Sequence, residues 1–296
     1  MTPYSQITQN KTKTFLIMMT FIVLFSGFFY FVGKYFDSPG AYLVLGLIIS
    51  SFSSLGSYFY SDKIVLFTSG AKPASKKDFF DFYTTTENLA LAAGLPMPRL
   101  YVIDDPSPNA FATGRDPKHA VVCATTGLLK RLDRSDIEGV ISHELSHVKN
   151  FDILVSSIVA VLVGTLAIIS DWLMRSLWWG RSRDDDNRNK SPIFALLFVA
   201  ALIITPIIAT LIQLAISRRR EFLADASGVL ITRNPEGLAS ALEKIATFPP
   251  LRNASPSTAH LFIANPFKKK SQTSWLLNLF STHPPVEERI RILRSM

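Results

Sequence analysis

Four long stretches without a charged side chain constrain the fold of this chain more than any other feature of its sequence. They cover residues 15–32, 41–60, 153–170 and 192–216. Each approaches or exceeds the roughly 20 residues that an α-helix needs to cross the hydrocarbon core of a bilayer. Charged residues make up only 18% of the chain, whereas a soluble protein usually has about 25%. The sequence therefore predicts about four transmembrane helices and excludes a disordered chain.

These stretches divide the chain into alternating membrane and water-exposed parts. We expect a transmembrane hairpin over 1–60, a water-exposed part over 61–152, a second hairpin over 153–216 and a second water-exposed part over 217–296. The first stretch follows two lysines, as in a signal peptide. It is longer than the roughly 7–15-residue core of such a peptide and no Ala-x-Ala site follows it, so we expect a retained membrane helix.

The distribution of lysine and arginine predicts the orientation of these helices. Basic residues precede the first stretch, follow the second, and follow the fourth at 218–220. Because basic loops stay preferentially in the cytosol, both termini and both water-exposed parts are expected there. The loop 175–191 disagrees, since it carries five basic and three acidic residues. The last two stretches could therefore form a hairpin that does not fully cross the membrane.

The formal net charge of +8 raises the alternative of a nucleic-acid-binding protein. The basic residues cluster beside the membrane stretches, where they set topology and meet anionic headgroups, so we expect no nucleic-acid partner. A single cysteine excludes an internal disulfide and a multi-cysteine metal cluster. This residue, Cys123, lies within a predicted strand, which favours a packed side chain over a nucleophile.

The water-exposed parts are predicted to be mainly α-helical with a small β-sheet. Residues 77–93 show an amphipathic helical pattern, and two short segments have strand character. A capping box, in which a Ser and a Glu three residues later satisfy each other's backbone N–H groups, predicts a further helix start, and a Pro in the first turn predicts another. The strands are expected at 100–103 and 119–124, and these helix starts at Ser135 (with Glu138), at Asn234 and after Pro285.

The helix that is expected to begin near Ser135 carries the segment His143-Glu144-Leu145-Ser146-His147. Two histidines four residues apart lie on one helical face, where both imidazoles can bind one Zn²⁺ ion at about 2.0–2.1 Å. Glu144 lies beside the first histidine and can remove a proton from a water molecule at the metal. The alternative is a pair of partly buried histidines on an ordinary amphipathic helix.

A catalytic zinc ion needs a third protein ligand and an open position for water. The remaining histidines, Cys123 and the carboxylates are all candidates, and Glu221 stands out among them by its position. It is predicted to lie on a helix that continues from the fourth apolar stretch, with Asp225 one turn further on the same face. A carboxylate at that position can accept the remaining N–H of a ligating histidine. The alternative for Glu221 is an ion pair with the arginines that precede it.

Residues 143–152, 217–225, 109–114 and 282–285 together resemble the HtpX family of bacterial membrane zinc metalloproteases. A wider group with the same signature includes the CAAX prenyl endopeptidases. The resemblance covers nearly the whole chain and implies an α+β, gluzincin-like metalloprotease domain. It implies one Zn²⁺ per subunit, held by His143, His147 and Glu221, with Glu144 as general base. Asp225 would then be the hydrogen-bond partner of a ligating histidine.

The same resemblance implies a substrate cleft. Asn109, Ala110 and Phe111 are expected beside it, near an edge strand, and His283 is expected near the substrate or the developing oxyanion. A helix-start histidine is the alternative for His283. Asp152 also matches the family pattern, and we expect only a structural pairing for it. His119 and His260 are interpreted as structural or surface residues.

The sequence thus predicts a metalloendopeptidase of the bacterial inner membrane. Both halves of its zinc site are expected to grow directly from membrane helices, which would hold the metal within about 10–15 Å of the cytosolic surface. Misfolded or damaged membrane proteins are the expected substrates, in quality control and stress response. The alternatives are a processing protease of the CAAX type and, in another class, a transporter or a non-catalytic scaffold. The sequence does not indicate an oligomeric state.

Overall fold

The computed structural model describes residues 3–179, 211, 217–249, 251, 255, 257–264 and 284–296. In these residues the chain is mainly helical, as the sequence predicted, with one small sheet. The elements in chain order are α1 (Pro3–Tyr35), α2 (Pro39–Thr68), β1 (Lys72–Pro73), α3 (Phe80–Ala93), β2 (Arg99–Ile103), β3 (Ala110–Thr113), β4 (Val121–Thr125), α4 (Thr126–Arg131), α5 (Arg134–Lys149), α6 (Asp152–Trp179), α7 (Arg218–Thr232), α8 (Pro235–Thr247) and α9 (Val286–Leu293).

Three of the described helices are long and apolar enough to cross a membrane. The candidate spans are Gln6–Lys34, Pro39–Thr68 and Asp152–Asp171, and they contain the first three predicted stretches. The predicted fourth span, 192–216, lies outside the described residues apart from residue 211, and so does most of the loop 175–191.

Helices α1 and α2 pack closely as an antiparallel hairpin. The buried face of α2 consists largely of small residues, namely Gly46, Ser50, Ser54, Ser57 and Ser61. A Cβ atom on Gly46 would lie 2.7 Å from Phe29 Cβ. Side chains larger than hydrogen would therefore separate the two helices at this level, as expected where small residues form a membrane helix interface.

The sheet has the strand order β1-β2-β4-β3. Strands β2 and β4 are parallel, whereas β1 and β3 pair antiparallel with their neighbours. The predicted ends of β2 and β4 differ from the observed ones by one or two residues. Strand β4 begins later than predicted because residues Pro117–His119 form a 3₁₀ turn before it. Strand β3 lies at one edge of the sheet, which is the edge beside α5.

Helix α5 lies at the centre of the water-exposed part, against α3, α7, α8 and β3. Its apolar side chains Val140, Ile141 and Leu145 are fully buried. Packing on several sides fixes the rotation of this helix, and the side chains that project from it are therefore held in defined positions.

Helix α5 begins two residues earlier than the predicted capping box. Its N-cap is Asp133, whose carboxylate accepts the Asp136 N–H at 3.0 Å while Asp136 accepts the Asp133 N–H at 3.4 Å. The predicted pair is already helical: Ser135 accepts a hydrogen bond from Asn234, and Glu138 binds Arg134. Asp133 has the extended backbone that an N-cap requires, so the acid pair replaces the predicted Ser–Glu pair.

The two helices of the motif do not continue into the membrane helices, contrary to the prediction. Phe151, with φ 60°, separates α5 from α6. Ser217 is extended, with φ −155° and ψ 111°, and α7 begins only after it. The break at Phe151 ends α5 before α6 begins, and α5 packs against α7.

Candidate active site

Helices α5 and α7 bring together the two histidines and the glutamate that the sequence singled out. The Nε2 atoms of His143 and His147 are 3.1 Å apart. Glu221 places one carboxylate oxygen 3.7 Å from Nε2 of His143 and the other 3.6 Å from Nε2 of His147. Together these residues form a cluster that could hold a metal ion, with their ligand atoms within 4.8 Å of one another.

The dimensions of this cluster fit a tetrahedral ion. Bonds of about 2.0–2.1 Å in a tetrahedral zinc site separate the ligand atoms by about 3.3 Å. The two histidine Nε2 atoms are 3.1 Å apart, and each lies 3.6–3.7 Å from a different oxygen of Glu221. Three such ligands leave a fourth position for water or substrate, which is typical of a catalytic rather than a structural site. The donor set of two imidazoles and one carboxylate also suits Zn²⁺.

Both histidines are oriented through their other ring nitrogen. His143 Nδ1 donates to Asp225 at 2.8 Å, the contact that the spacing of Glu221 and Asp225 predicted. His147 Nδ1 donates to Asp152 at 3.0 Å. Each hydrogen bond fixes the tautomer that leaves Nε2 as the lone-pair donor to a metal.

Asp152 is held by two further side chains from distant parts of the chain. Asn10 of α1 donates its amide to Asp152 at 2.8 Å and to the Asn150 carbonyl at 2.9 Å. Arg220 of α7 forms an ion pair with Asp152 at 3.2 Å. The sequence indicated only a structural pairing for Asp152 and gave no signal for Asn10.

Asp225 is held by a buried arginine that the sequence analysis did not identify. Arg289 of α9 is fully buried and binds Asp225 bidentately, with Nε at 2.9 Å and Nη2 at 2.6 Å. Its Nη1 also donates to the Ile263 carbonyl at 3.2 Å and lies 3.9 Å from a carboxylate oxygen of Glu221. The only signal in the sequence was that Arg289 lies four residues after Pro285, in the helix predicted there.

The charges of the site shift the pKa values of its members. Burial raises the pKa of Glu144 to about 7 and lowers that of His143 to about 4. Burial alone would lower the pKa of His147, but the hydrogen bond to Asp152 and the charge of Glu221 raise it to about 9. Burial alone would raise the pKa of Asp225, but the charge of Arg289 outweighs this effect and lowers the pKa to about 2. The carboxylates around His147 thus favour a cation at the centre of the site.

Glu144 faces a cavity that the metal-ligand cluster also lines. The cavity has a volume of about 30 Å³, more than the roughly 10–15 Å³ needed for one water molecule. The Glu144 carboxylate accepts the backbone N–H of Ala112 on β3, and Ala112 lines the same cavity. An acid, the ligand cluster and an edge strand therefore share one small space.

Asn109, Ala110 and Phe111 were expected beside a substrate cleft. Asn109 is buried and binds the Ala264 backbone with its amide, and Phe111 packs against Phe262. Neither lines the cavity, and nor does Ala110, which accepts the Ile263 N–H at 2.9 Å. Their contact with substrate stays a prediction.

Two other histidines and the single cysteine have different surroundings. His260 lines the cavity and donates from Nε2 to the Ser156 carbonyl at 3.0 Å. His119 is at the surface, bound to Asp116. Cys123 is buried in β4, where burial raises its pKa, as expected for a packed thiol. His283 lies outside the described residues.

Comparisons with known proteins identify the family of the chain. Residues 78–296 match the sequence model of peptidase family M48. The chain is 47% identical over 294 residues to "Protease HtpX homolog" of Tropheryma whipplei (strain Twist), covering 99% of this chain and 98% of that one. It is 44% identical over 300 residues to the protein of the same name from Caldanaerobacter subterraneus subsp. tengcongensis, covering 100% and 98%.

Among solved structures, the chain is similar to the crystal structure of S. mikatae Ste24p, with a TM-score of 0.48 and 16% identity. The match covers 94% of this chain and spans 62% of the length of that one. The family match and the near full-length relatives, together with three candidate membrane helices, show that this chain is a membrane metalloprotease of peptidase family M48.

Proposed function

We propose that the chain is a zinc-dependent endopeptidase of the bacterial inner membrane that cleaves misfolded or damaged membrane proteins at the cytosolic face. The observation that carries the zinc site is the convergence of the His143 and His147 Nε2 atoms, 3.1 Å apart, with the Glu221 carboxylate, whose two oxygens lie 3.7 and 3.6 Å from them. A scaffold or a transporter has no need for this geometry with an acid at Glu144 beside it.

In the proposed reaction, His143, His147 and Glu221 hold Zn²⁺, and Glu144 transfers the proton. A bound zinc ion polarises the scissile carbonyl and makes water a stronger acid. Glu144 accepts the proton of the attacking water and passes it to the leaving amine, which is general base and then general acid catalysis. Asp152 and Asp225 keep the imidazoles in the ligating tautomer throughout.

The closeness of the site to the membrane supports membrane proteins as substrates. Asp152, the first residue of a candidate span, accepts a hydrogen bond from the proposed ligand His147 at 3.0 Å. The metal is therefore expected one or two side chains from the start of that span, at the level where loops of a membrane protein emerge. The basic residues beside the spans support a cytosolic position of the site.

The first test is proteolysis by the purified full chain in detergent with zinc and an unfolded protein substrate. Glu144→Gln removes the proposed base and keeps its size. Glu138→Gln is the matched control on the same helix, where Glu138 forms a surface ion pair with Arg134. We expect cleavage by the parent and by Glu138→Gln, and loss of at least about 100-fold in Glu144→Gln at equal zinc content. Equal cleavage by all three would disprove the role of Glu144.

A second test addresses the substrate and the membrane face. A reporter membrane protein, co-reconstituted with the chain, carries an unfolded insert either in a cytosolic or in an outward-facing loop. We expect cleavage of the cytosolic insert, and cleavage confined to the outward insert would contradict the proposed orientation. Cleavage of a prenylated C-terminal peptide, with no cleavage of either insert, would instead identify a CAAX-type processing protease.

A further inference from the structure

A pocket on the membrane side of the candidate active site lies where α1 meets the start of α7. Its volume is about 170 Å³, and it is separate from the catalytic cavity except for two shared wall residues, Ser217 and Arg220. The lining residues come from the first turns of α1 and the first turns of α7. They are Gln6, Gln9, Asn10, Lys13, Ser217, Arg219, Arg220 and Leu223.

The wall of this pocket carries positive charge and hydrogen-bond donors. Three of its residues are basic, and none of the described lining residues is acidic. Arg220 is paired with Asp152 at 3.2 Å, and no acid of the described wall offsets the charge of Arg219. The charge of Lys13 is partly offset by Asp152, which lies outside this wall. Lys13 is half-buried, so this charge is confined near the pocket. A concave surface of this kind favours an anion with several acceptor oxygens.

The length of α1 leads us to expect this pocket at the level of the lipid headgroups. The candidate span Gln6–Lys34 has 29 residues and is therefore about 43 Å long, whereas the hydrocarbon core is only about 30 Å thick. The polar first turns of α1 consequently extend into the headgroup region. Lys13 precedes the apolar stretch 15–32 by two residues, and Ser217 directly follows the stretch 192–216.

We propose that this pocket binds the headgroup phosphate of an anionic phospholipid. Lys13 and Arg219 supply the charge, and the amides of Gln6 and Gln9 supply hydrogen bonds to phosphate oxygens. Basic pockets between membrane helices on the cytosolic side are suited to such headgroups. The bound lipid ties α1, which carries Asn10, to α7, which carries Glu221. The binding claim does not depend on the proposed peptidase chemistry.

The test measures lipid retention by the full chain. The protein is purified in a mild detergent, equilibrated with equal amounts of phosphatidylglycerol and phosphatidylcholine, and examined by native mass spectrometry. We expect preferential retention of phosphatidylglycerol by the parent. Lys13→Gln combined with Arg219→Gln should weaken this retention about 25-fold, because each basic residue near the surface contributes about fivefold.

The matched control combines Lys34→Gln with Arg218→Gln. Both residues are exposed, Lys34 lies at the other end of α1, and Arg218 adjoins Arg219 but does not line the pocket. We expect this control to retain phosphatidylglycerol like the parent. Arg219→Gln alone, at an exposed position where folding is not at risk, should lose about fivefold.

Three results would overturn the proposal. The parent could show no preference for phosphatidylglycerol, or the control could lose retention as much as the pocket variant, which would indicate only diffuse surface charge. In the third case, millimolar inorganic phosphate would displace the lipid and raise the thermal midpoint of the parent as much as phosphatidylglycerol does. The pocket would then be a site for a soluble anion.

Discussion

Asp152 is the acceptor on which three distant parts of the chain converge. His147 of α5, Asn10 of α1 and Arg220 of α7 all donate to its carboxylate, at 3.0, 2.8 and 3.2 Å. The orientation of one proposed zinc ligand therefore depends on residues that contact no metal. Carboxylates that orient a ligating histidine typically contribute about 10–100-fold to metal affinity.

Asp152→Asn is expected to weaken zinc binding about 10- to 100-fold while the chain stays folded, because the amide cannot replace the charged acceptor of the His147 N–H. Competition with a chromophoric chelator measures this affinity on the full chain in detergent. Asp171→Asn is the control, since Asp171 is exposed near the far end of the same helix and, within the described residues, pairs with Arg175. Unchanged affinity in Asp152→Asn would show that the hydrogen bond does not orient the ligand.

The buried ion pair between Arg289 and Asp225 predicts a large effect on stability. Arg289→Met leaves Asp225 buried without its bidentate partner, and such a loss costs about 3–5 kcal/mol. Arg294→Met on the same helix is the control, because Arg294 binds Glu236 and Glu243 at the surface. Thermal unfolding of the full chain should show a much lower midpoint for Arg289→Met and a small change for Arg294→Met. Equal midpoints would mean that the buried pair contributes no net stability.

Local spacing predicted part of the site. His143 and His147 project from one helical face with Glu144 beside the first, and Asp225 lies one turn beyond Glu221. The contact of Glu221 with the two histidines joins separate helices, and Glu221 was assigned largely through the family resemblance. Asn10 and Arg289 could not be found in this way, because they contact partners 142 and 64 residues away in the sequence. No local pattern records such a pairing, which depends on how α1 and α9 pack.

At the level of the elements, the sequence predicted which segments are helices better than where they begin. The helix at Asn234 starts as predicted, with its side chain accepting the Gly237 N–H. The start of α5 was predicted two residues late, because two acids near each other, Asp133 and Asp136, formed the cap in place of Ser135 and Glu138. Local propensity allowed both caps, and the packing of Ser135 against Asn234 favours the observed one.

The α1–α2 hairpin depends on one position where the helices almost touch. In Gly46→Ala, the new Cβ would lie 2.7 Å from Phe29 Cβ and 3.0 Å from Ser26 Cα, and such overpacking costs about 1–3 kcal/mol. Gly56→Ala on the same helix meets no atom within 4 Å and should be neutral or stabilising, because alanine favours a helix. Thermal unfolding in detergent should therefore separate the two variants. A midpoint for Gly46→Ala at or above that of Gly56→Ala would contradict close packing here.

Across the whole molecule, the membrane and water-exposed parts are not independent. Asn10 belongs to the predicted hairpin 1–60, and yet it binds Asp152 beside the candidate metal site. Thr113 at the end of β3 binds Ser157 of α6 at 2.7 Å, which joins the sheet to a candidate span. These two hydrogen bonds connect the candidate membrane helices to the proposed metal ligand His147, through Asp152, and to the edge strand that faces the cavity.

The proposed orientation of the whole chain predicts which surfaces are reachable from each side of the membrane. Ser38 lies in the exposed turn between α1 and α2, and Leu91 is 81% exposed on the water-exposed part. Cys123, the single native cysteine, is buried, and burial raises its pKa, so its thiol should react little with a maleimide. The native chain is therefore a suitable background for cysteine labelling.

In spheroplasts, whose inner membrane is intact, a membrane-impermeant maleimide should label Ser38→Cys and leave Leu91→Cys unlabelled. After lysis, both variants should react, because Leu91 is then reachable from the former cytosolic side. The two positions lie on opposite sides of the membrane if α1 and α2 each cross it once. Labelling of Leu91→Cys in intact cells, with Ser38→Cys protected, would reverse the orientation and move the candidate active site outside the cytosol. Labelling of both in intact cells would mean that the hairpin does not span the membrane.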